Sequence, residues 1–107
     1  MKADKRKRLE SKGWKLGSAR AFLNLSDEDV AYIELHLALA KLLRKQRKSL
    51  GYTQTELADL IRSSQSRVAK MEAGDPSVSI DLLIRTLLAL GVNCKQVGRA
   101  IAATVST

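Results

Sequence analysis

Aromatic side chains are scarce in this chain, with one Trp, one Phe and two Tyr among 107 residues. A core must therefore be built from Leu, Ile, Val and Ala, which suits packed helices. Cys94 is the only cysteine, which excludes an internal disulfide and a cysteine-based zinc cluster within one chain. A reducing, cytoplasmic compartment fits that usage, and Cys94 reads as a small buried hydrophobe. His36 is the only histidine and has no second His or Cys with which to share a metal, so it reads as a packing or surface residue. The basic start runs into Ser11-Lys12-Gly13-Trp14-Lys15 rather than an apolar stretch, so no secretory signal is expected. Charge interrupts every apolar run well before the ~20 residues that span a bilayer, so no membrane partner is expected either. An enzyme needs a nucleophile with its base, paired carboxylates in a cleft, or a metal set. One His, one Cys and no Gly-rich phosphate loop leave little to assemble, so neither catalysis nor a cofactor is expected.

What the chain does have is positive charge. Lys and Arg number 19 against 11 Asp and Glu, a net charge of +8. Such an excess favours polyanionic partners, because neutralising phosphates releases condensed counterions; a merely soluble basic surface gives the same number. Lys2, Lys5, Arg6, Lys7 and Arg8 crowd the N-terminus, and Lys41, Arg44, Lys45, Arg47 and Lys48 form a second cluster. The first reads equally as an arm reaching along a nucleic-acid backbone and as a solubilising tail. The second reads as a solvated face with helix-terminal cations, or as an accessory nucleic-acid contact.

Local signals give an all-helical reading. Residues 1–25 form a basic arm and a small N-terminal extension, in which Trp14, Leu16, Phe22, Leu23 and Leu25 make an apolar cap and Ser18 to Leu23 add a turn or two of helix. Residues 26–107 form the main domain. Ser26 with Asp27, Glu28 and Asp29 opens a long helix, where a hydroxyl caps and acids meet the positive end of the dipole. Val30, Ile33, Leu37 and Ala40 make one stripe along it, beside Leu35, Leu39, Leu42 and Leu43. It closes near Leu50-Gly51. Thr53 and Glu56 form a capping box for a second helix, whose buried side is Leu57, Ala58, Leu60 and Ile61. Ser64 or Ser63 caps a third helix that buries Val68 and Met71 and ends at Gly74, before the turn Asp75-Pro76-Ser77. Ser79 to Leu90 makes a fourth helix, facing the core with Leu82, Leu83, Thr86, Leu87 and Leu90. Asn93 to about Val105 makes a fifth, with Val97, Ile101 and Val105 at every fourth position.

The second and third helices, Thr53 to Gly74, carry the functional expectation. Two short helices joined by a three- or four-residue turn can set the second in a DNA major groove. That geometry asks for a small residue where the helices cross, Ala58, and apolar anchors beneath the second helix, Val68 and Met71. It also asks for polar residues at that helix's exposed start, here Gln65, Ser66 and Arg67. Gln bidentate to adenine and Arg to guanine are favoured pairings. Gln54, on the first turn of the first helix, suits a phosphate contact, and Lys70 suits phosphate or solvent.

The stretch Thr53-Gln54-x-x-Leu57-Ala58, then Ser64-x-x-x-Val68-x-x-x-Glu72-x-Gly74, resembles the Xre/Cro-type helix-turn-helix family without an insertion. The resemblance implies a five-helix, lambda-repressor-like DNA-binding domain with an N-terminal extension. It implies that Gln54 meets a phosphate, that Gln65, Ser66, Arg67 and Lys70 meet bases or backbone, and that Glu72 is structural. The family usually places Gly and then an aliphatic residue in the turn, where this chain has Arg62 and Ser63. Either Arg62 adopts a left-handed conformation, at a cost of about 1 kcal/mol, or the turn is shaped slightly differently; in compensation Arg62 can add a phosphate contact. The DNA-contact set is then Gln54, Arg62, Ser64, Gln65, Ser66, Arg67 and Lys70.

Gly13-Trp14-Lys15-Leu16-Gly17, Phe22-Leu23-x-Leu25, and Ser64 to Val68 through Gly74-Asp75-Pro76-Ser77 are similar to a HigA-like group of antitoxins and regulators. That similarity implies an autorepressing dimer and a small ribonuclease toxin as a further partner. Dimerisation also follows from mechanism, since one recognition helix covers too few bases for tight specificity. The rival expectation is a protein-interaction module, toxin-neutralising or a scaffold, with little DNA binding of its own; exposed apolar residues on the long or the last helix favour it.

Overall fold

The computed structural model describes residues 23–104. Over that span there are helices and connections only, the helices being α1 (Asp27–Ser49), α2 (Gln54–Leu60), α3 (Gln65–Ala73), α4 (Ile80–Ala89) and α5 (Cys94–Ala102). The all-helical, five-helix expectation is met. The basic arm, the Ser18–Phe22 stretch and Trp14, Leu16 and Phe22 of the expected apolar cap lie outside the described residues, as does Val105.

The chain groups into two units, residues 1–34 and residues 35–107, with α1 beginning in the first and ending in the second. In the first, Leu23 is exposed and Leu25 half-buried. The Ser26 hydroxyl accepts the Asp29 amide at 3.1 Å, and the Asp29 carboxylate accepts the Ser26 amide at 3.2 Å. Reciprocal capping of this kind satisfies two amides that the helix leaves unpaired.

The second unit holds the core. Leu39 and Leu43 of α1, Leu57 of α2, Val68 and Met71 of α3, and Leu83 and Leu87 of α4 are fully buried, with Val78, Val92 and Val97 around them. Each later helix starts where a side chain caps it. Thr53 and Glu56 form the expected capping box, Ser64 accepts from the Arg67 amide, Ser79 from Leu82, and Asn93 pairs reciprocally with Gln96.

Three expected core positions face out instead. Leu60 is 57% exposed, because ~100° per residue carries it well off the stripe of Leu57, Ala58 and Ile61 on so short a helix. Leu37 is 37% exposed, since the buried side of α1 runs through His36, Leu39, Ala40, Leu43 and Arg47. Cys94 is exposed as the first residue of α5, a turn before the buried Val97. His36 takes a core position, its Nε2 bonded to the Val78 carbonyl, which anchors the α3–α4 connection to α1.

Two left-handed residues shape the helix-turn-helix. Arg62 has φ 55° and Gly74 has φ 73°. At Gly74 an added Cβ would lie 2.5 Å from Leu37 Cδ2, so the missing side chain lets the end of α3 meet α1.

Candidate nucleic-acid interface

The recognition edge is built from the inside out, beginning with an ion pair. Arg47 donates Nε to Glu72 Oε2 at 2.6 Å and Nη2 to Glu72 Oε1 at 3.0 Å, a two-pronged pairing that matches guanidinium to carboxylate. Nη1 of Arg47 donates to the Tyr52 carbonyl at 2.7 Å. The two side chains are 11% and 4% exposed. The Arg47 pKa is raised, chiefly by the hydrogen bond to Glu72 against the opposing effect of burial. Arg47 is thus not part of a solvated face, as its place among surface cations suggested, and Glu72 has the structural role expected of it.

Hydrogen-bond polarity then propagates outward. A carboxylate only accepts, so Gln54 must present its amide NH2 to Glu72, and Nε2 donates to Glu72 Oε1 at 3.2 Å. That turns Gln54 Oε1 outward, where it accepts Gln65 Nε2 at 2.7 Å. Gln65 keeps one N–H and its carbonyl oxygen uncommitted to Gln54, and the residue is exposed. A donor and an acceptor side by side are what an adenine edge requires in the major groove. The buried acid has fixed the orientation of an exposed amide two side chains away.

The remaining expected residues fall along the same helix and its turn. Ser64 is exposed and caps α3, its Oγ accepting the Arg67 amide at 3.2 Å and lying 3.3 Å from Ser66 Oγ. Ser66, Arg67 and Lys70 are exposed along α3, and Arg62 is exposed in the turn. Among the described residues no ion pair involves Arg62, Arg67 or Lys70; the pairs found are Arg47–Glu72 and Arg85–Asp81. Gln54 and Gln65 are joined directly, and Ser64 and Ser66 touch; Arg62 makes no side-chain hydrogen bond to either pair.

A recess of about 290 Å³ opens beside this edge, lined by Arg44, Arg47, Gln54, Ala69, Glu72 and Ala73. Arg44 was grouped with the surface cations in sequence. One signal separates it from them, its place three residues before Arg47 on the same face of α1. No cluster of His, Cys, Asp or Glu suited to a metal occurs among the described residues, and none of their helices is long and apolar enough to cross a membrane.

Two short helices, a tight turn and an exposed polar edge on the second define a helix-turn-helix. The helix-turn-helix family profile matches residues 43–96, half of the chain. The chain belongs to that family, of the Xre/Cro-like kind, which is one of DNA-binding transcriptional regulators. No curated protein and no solved structure matches the chain significantly.

Proposed function

We propose that this protein is a sequence-specific repressor that binds duplex DNA as a homodimer, reading bases with the exposed edge of α3. The observation that carries this reading is the Gln54–Gln65 amide pair, oriented from beneath by Glu72 and Arg47. Gln65 reads an adenine, Arg67 a guanine or a phosphate, and Ser66 an adjacent base edge or backbone oxygen. Gln54, Arg62, Ser64 and Lys70 hold the backbone on either side. Two copies are required because one such edge spans only a few base pairs, so half-sites lie about one helical turn apart.

The test compares wild type and Gln65→Ala on duplexes selected from a random pool and on unselected duplex. The variant should lose about 1–3 kcal/mol on the selected sequence and relax the preference at one position. Equal losses on selected and unselected duplex remove Gln65 from base reading. Failure of the wild type to bind any duplex at low salt overturns the whole proposal.

The HigA-like resemblance supports a finer reading, an antitoxin that represses its own operon and captures a small ribonuclease. Leu37, 37% exposed on the long helix, is the kind of residue a partner surface uses. Wild type that captures such a toxin while binding duplex only weakly favours the interaction module over the repressor.

A further inference from the structure

The recess beside the recognition edge has a charge that its own walls do not balance. Arg47 and Glu72 neutralise each other through two hydrogen bonds, which leaves Arg44 as its uncompensated cation. Arg44 is exposed and enters no ion pair or side-chain hydrogen bond among the described residues. Gln54 contributes an amide group to the same wall. From α3, Ala69 and Ala73 line the recess with methyl groups alone, and the third α3 residue there, Glu72, has its carboxylate held by Arg47. An open, polar, singly positive recess suits a phosphate better than a neutral or cationic ligand.

From this arrangement we infer that Arg44 holds a DNA backbone phosphate in the recess, an anchor on α1 beside the reading edge of α3. The inference rests on the repressor reading above, because the source of the phosphate is the duplex that α3 reads. The continuity of the walls selects that source: Gln54 lines the recess and also holds Gln65, so a backbone seated against Arg44 lies next to the reading edge. Arg44 is a positioning contact and carries no sequence preference of its own.

The experiment measures affinity for a selected and an unselected duplex between about 0.05 and 0.2 M salt, for wild type, Arg44→Ala, Arg44→Lys and Lys45→Ala. Both positions lie on the solvent side of α1, and circular dichroism confirms for all three variants that helix content is kept. Losing one phosphate contact should make the slope of log affinity against log salt shallower by about 0.9 in Arg44→Ala. The selected-to-unselected ratio should stay constant. Arg44→Lys should restore the slope, as charge is retained, with part of the affinity still missing because the guanidinium fork is gone. Lys45→Ala, one position along the helix, should leave the slope close to wild type. A wild-type slope in Arg44→Ala, or an equal change in Lys45→Ala, overturns the inference while leaving the repressor reading intact. Wild type that binds no duplex overturns both.

Discussion

The two ends of the helix-turn-helix's helices close with one hydrogen-bond pattern and different residues. After α2, the Ser63 amide reaches the Ala58 carbonyl at 2.8 Å and the Arg62 amide the Asp59 carbonyl at 3.3 Å. After α3, Asp75 reaches Lys70 at 3.0 Å and Gly74 reaches Met71 at 3.3 Å. Both are the left-handed closure that usually takes glycine, since an L side chain there crowds the following carbonyl. At Gly74 the neighbours dictate the choice, because Leu37 occupies the space a Cβ would need. At Arg62 nothing in the packing does, for the side chain is exposed and makes no side-chain hydrogen bond or ion pair among the described residues. One end shows a constraint of the fold; the other shows strain kept where the fold would have been easier with glycine. On the proposed reading, the strain at Arg62 is kept for the backbone contact assigned to it.

The comparison breaks hardest at Gly74. Gly74→Ala places a side chain in a left-handed residue, worth about 1–2 kcal/mol of destabilisation, and also displaces Leu37. Gly91, at φ 89°, ends α4 with open space around it. Gly91→Ala therefore carries the backbone cost alone. Urea unfolding midpoints should fall further for Gly74→Ala than for Gly91→Ala, and the gap measures the approach of α3 to α1. Equal losses would mean that the Leu37 contact counts for nothing.

Arg62→Gly should move the other way by less. Relief of the left-handed strain gives about 1–2 kcal/mol, and the greater freedom of glycine in the unfolded chain takes back about 0.4–1. The expected net is a gain on the order of 0.5–1 kcal/mol in folding stability, with weaker duplex binding and a shallower salt slope. A stabilised variant that binds duplex as tightly as wild type would leave the strain at Arg62 without a function.

Much of this frame was legible in the residues because the deciding interactions are local. A hydroxyl three positions before a Glu, as at Thr53 and Glu56, names its own helix start, and Gly74 followed by Pro76 names an end. The offset of Arg62 within the motif leaves two turn shapes open, and only the backbone, at φ 55°, decides for the left-handed one. The side of α1 that faces the core was harder to read, because two of its buried positions carry His36 and Arg47. Polar residues on a buried stripe erase the periodicity that would reveal it. Leu37 then passes for a core residue while lying at the edge of the stripe. Arg47 belongs to a run of cations, and only its partner Glu72, an acid on the inward side of α3, betrays that it is buried. The Gln54–Gln65 pairing is likewise a tertiary fact: 11 residues separate the two, and no local rule joins them. Arg44 shows the same limit, since a groove wall does not exist until α1 and α3 are side by side.

The smallest expected effect sharpens the contrast between the two helix ends through pH. Asp75 follows Gly74, and its Oδ1 accepts the Ser77 amide at 2.8 Å. Its pKa is lowered, chiefly by hydrogen bonds from Ser77, with smaller help from the positive charge of Lys70. A carboxyl whose folded pKa lies below its unfolded one contributes stability that is complete above the unfolded value, near 3.9 for an ordinary Asp. That contribution disappears as pH falls through the folded value. Asp75→Asn copies the shape of the protonated side chain, so its melting temperature should lie slightly below wild type at neutral pH and approach it as pH drops through the carboxylate range. The end of α2 has Ser63 and Ser64 where α3 has Asp75 and Pro76, and no acid serves its turn. The gain from Arg62→Gly should therefore be the same at both pH values, while the difference at Asp75 closes. A gap between wild type and Asp75→Asn that stays constant into acid would show that the charge on Asp75 does not hold the turn, and that shape alone closes α3.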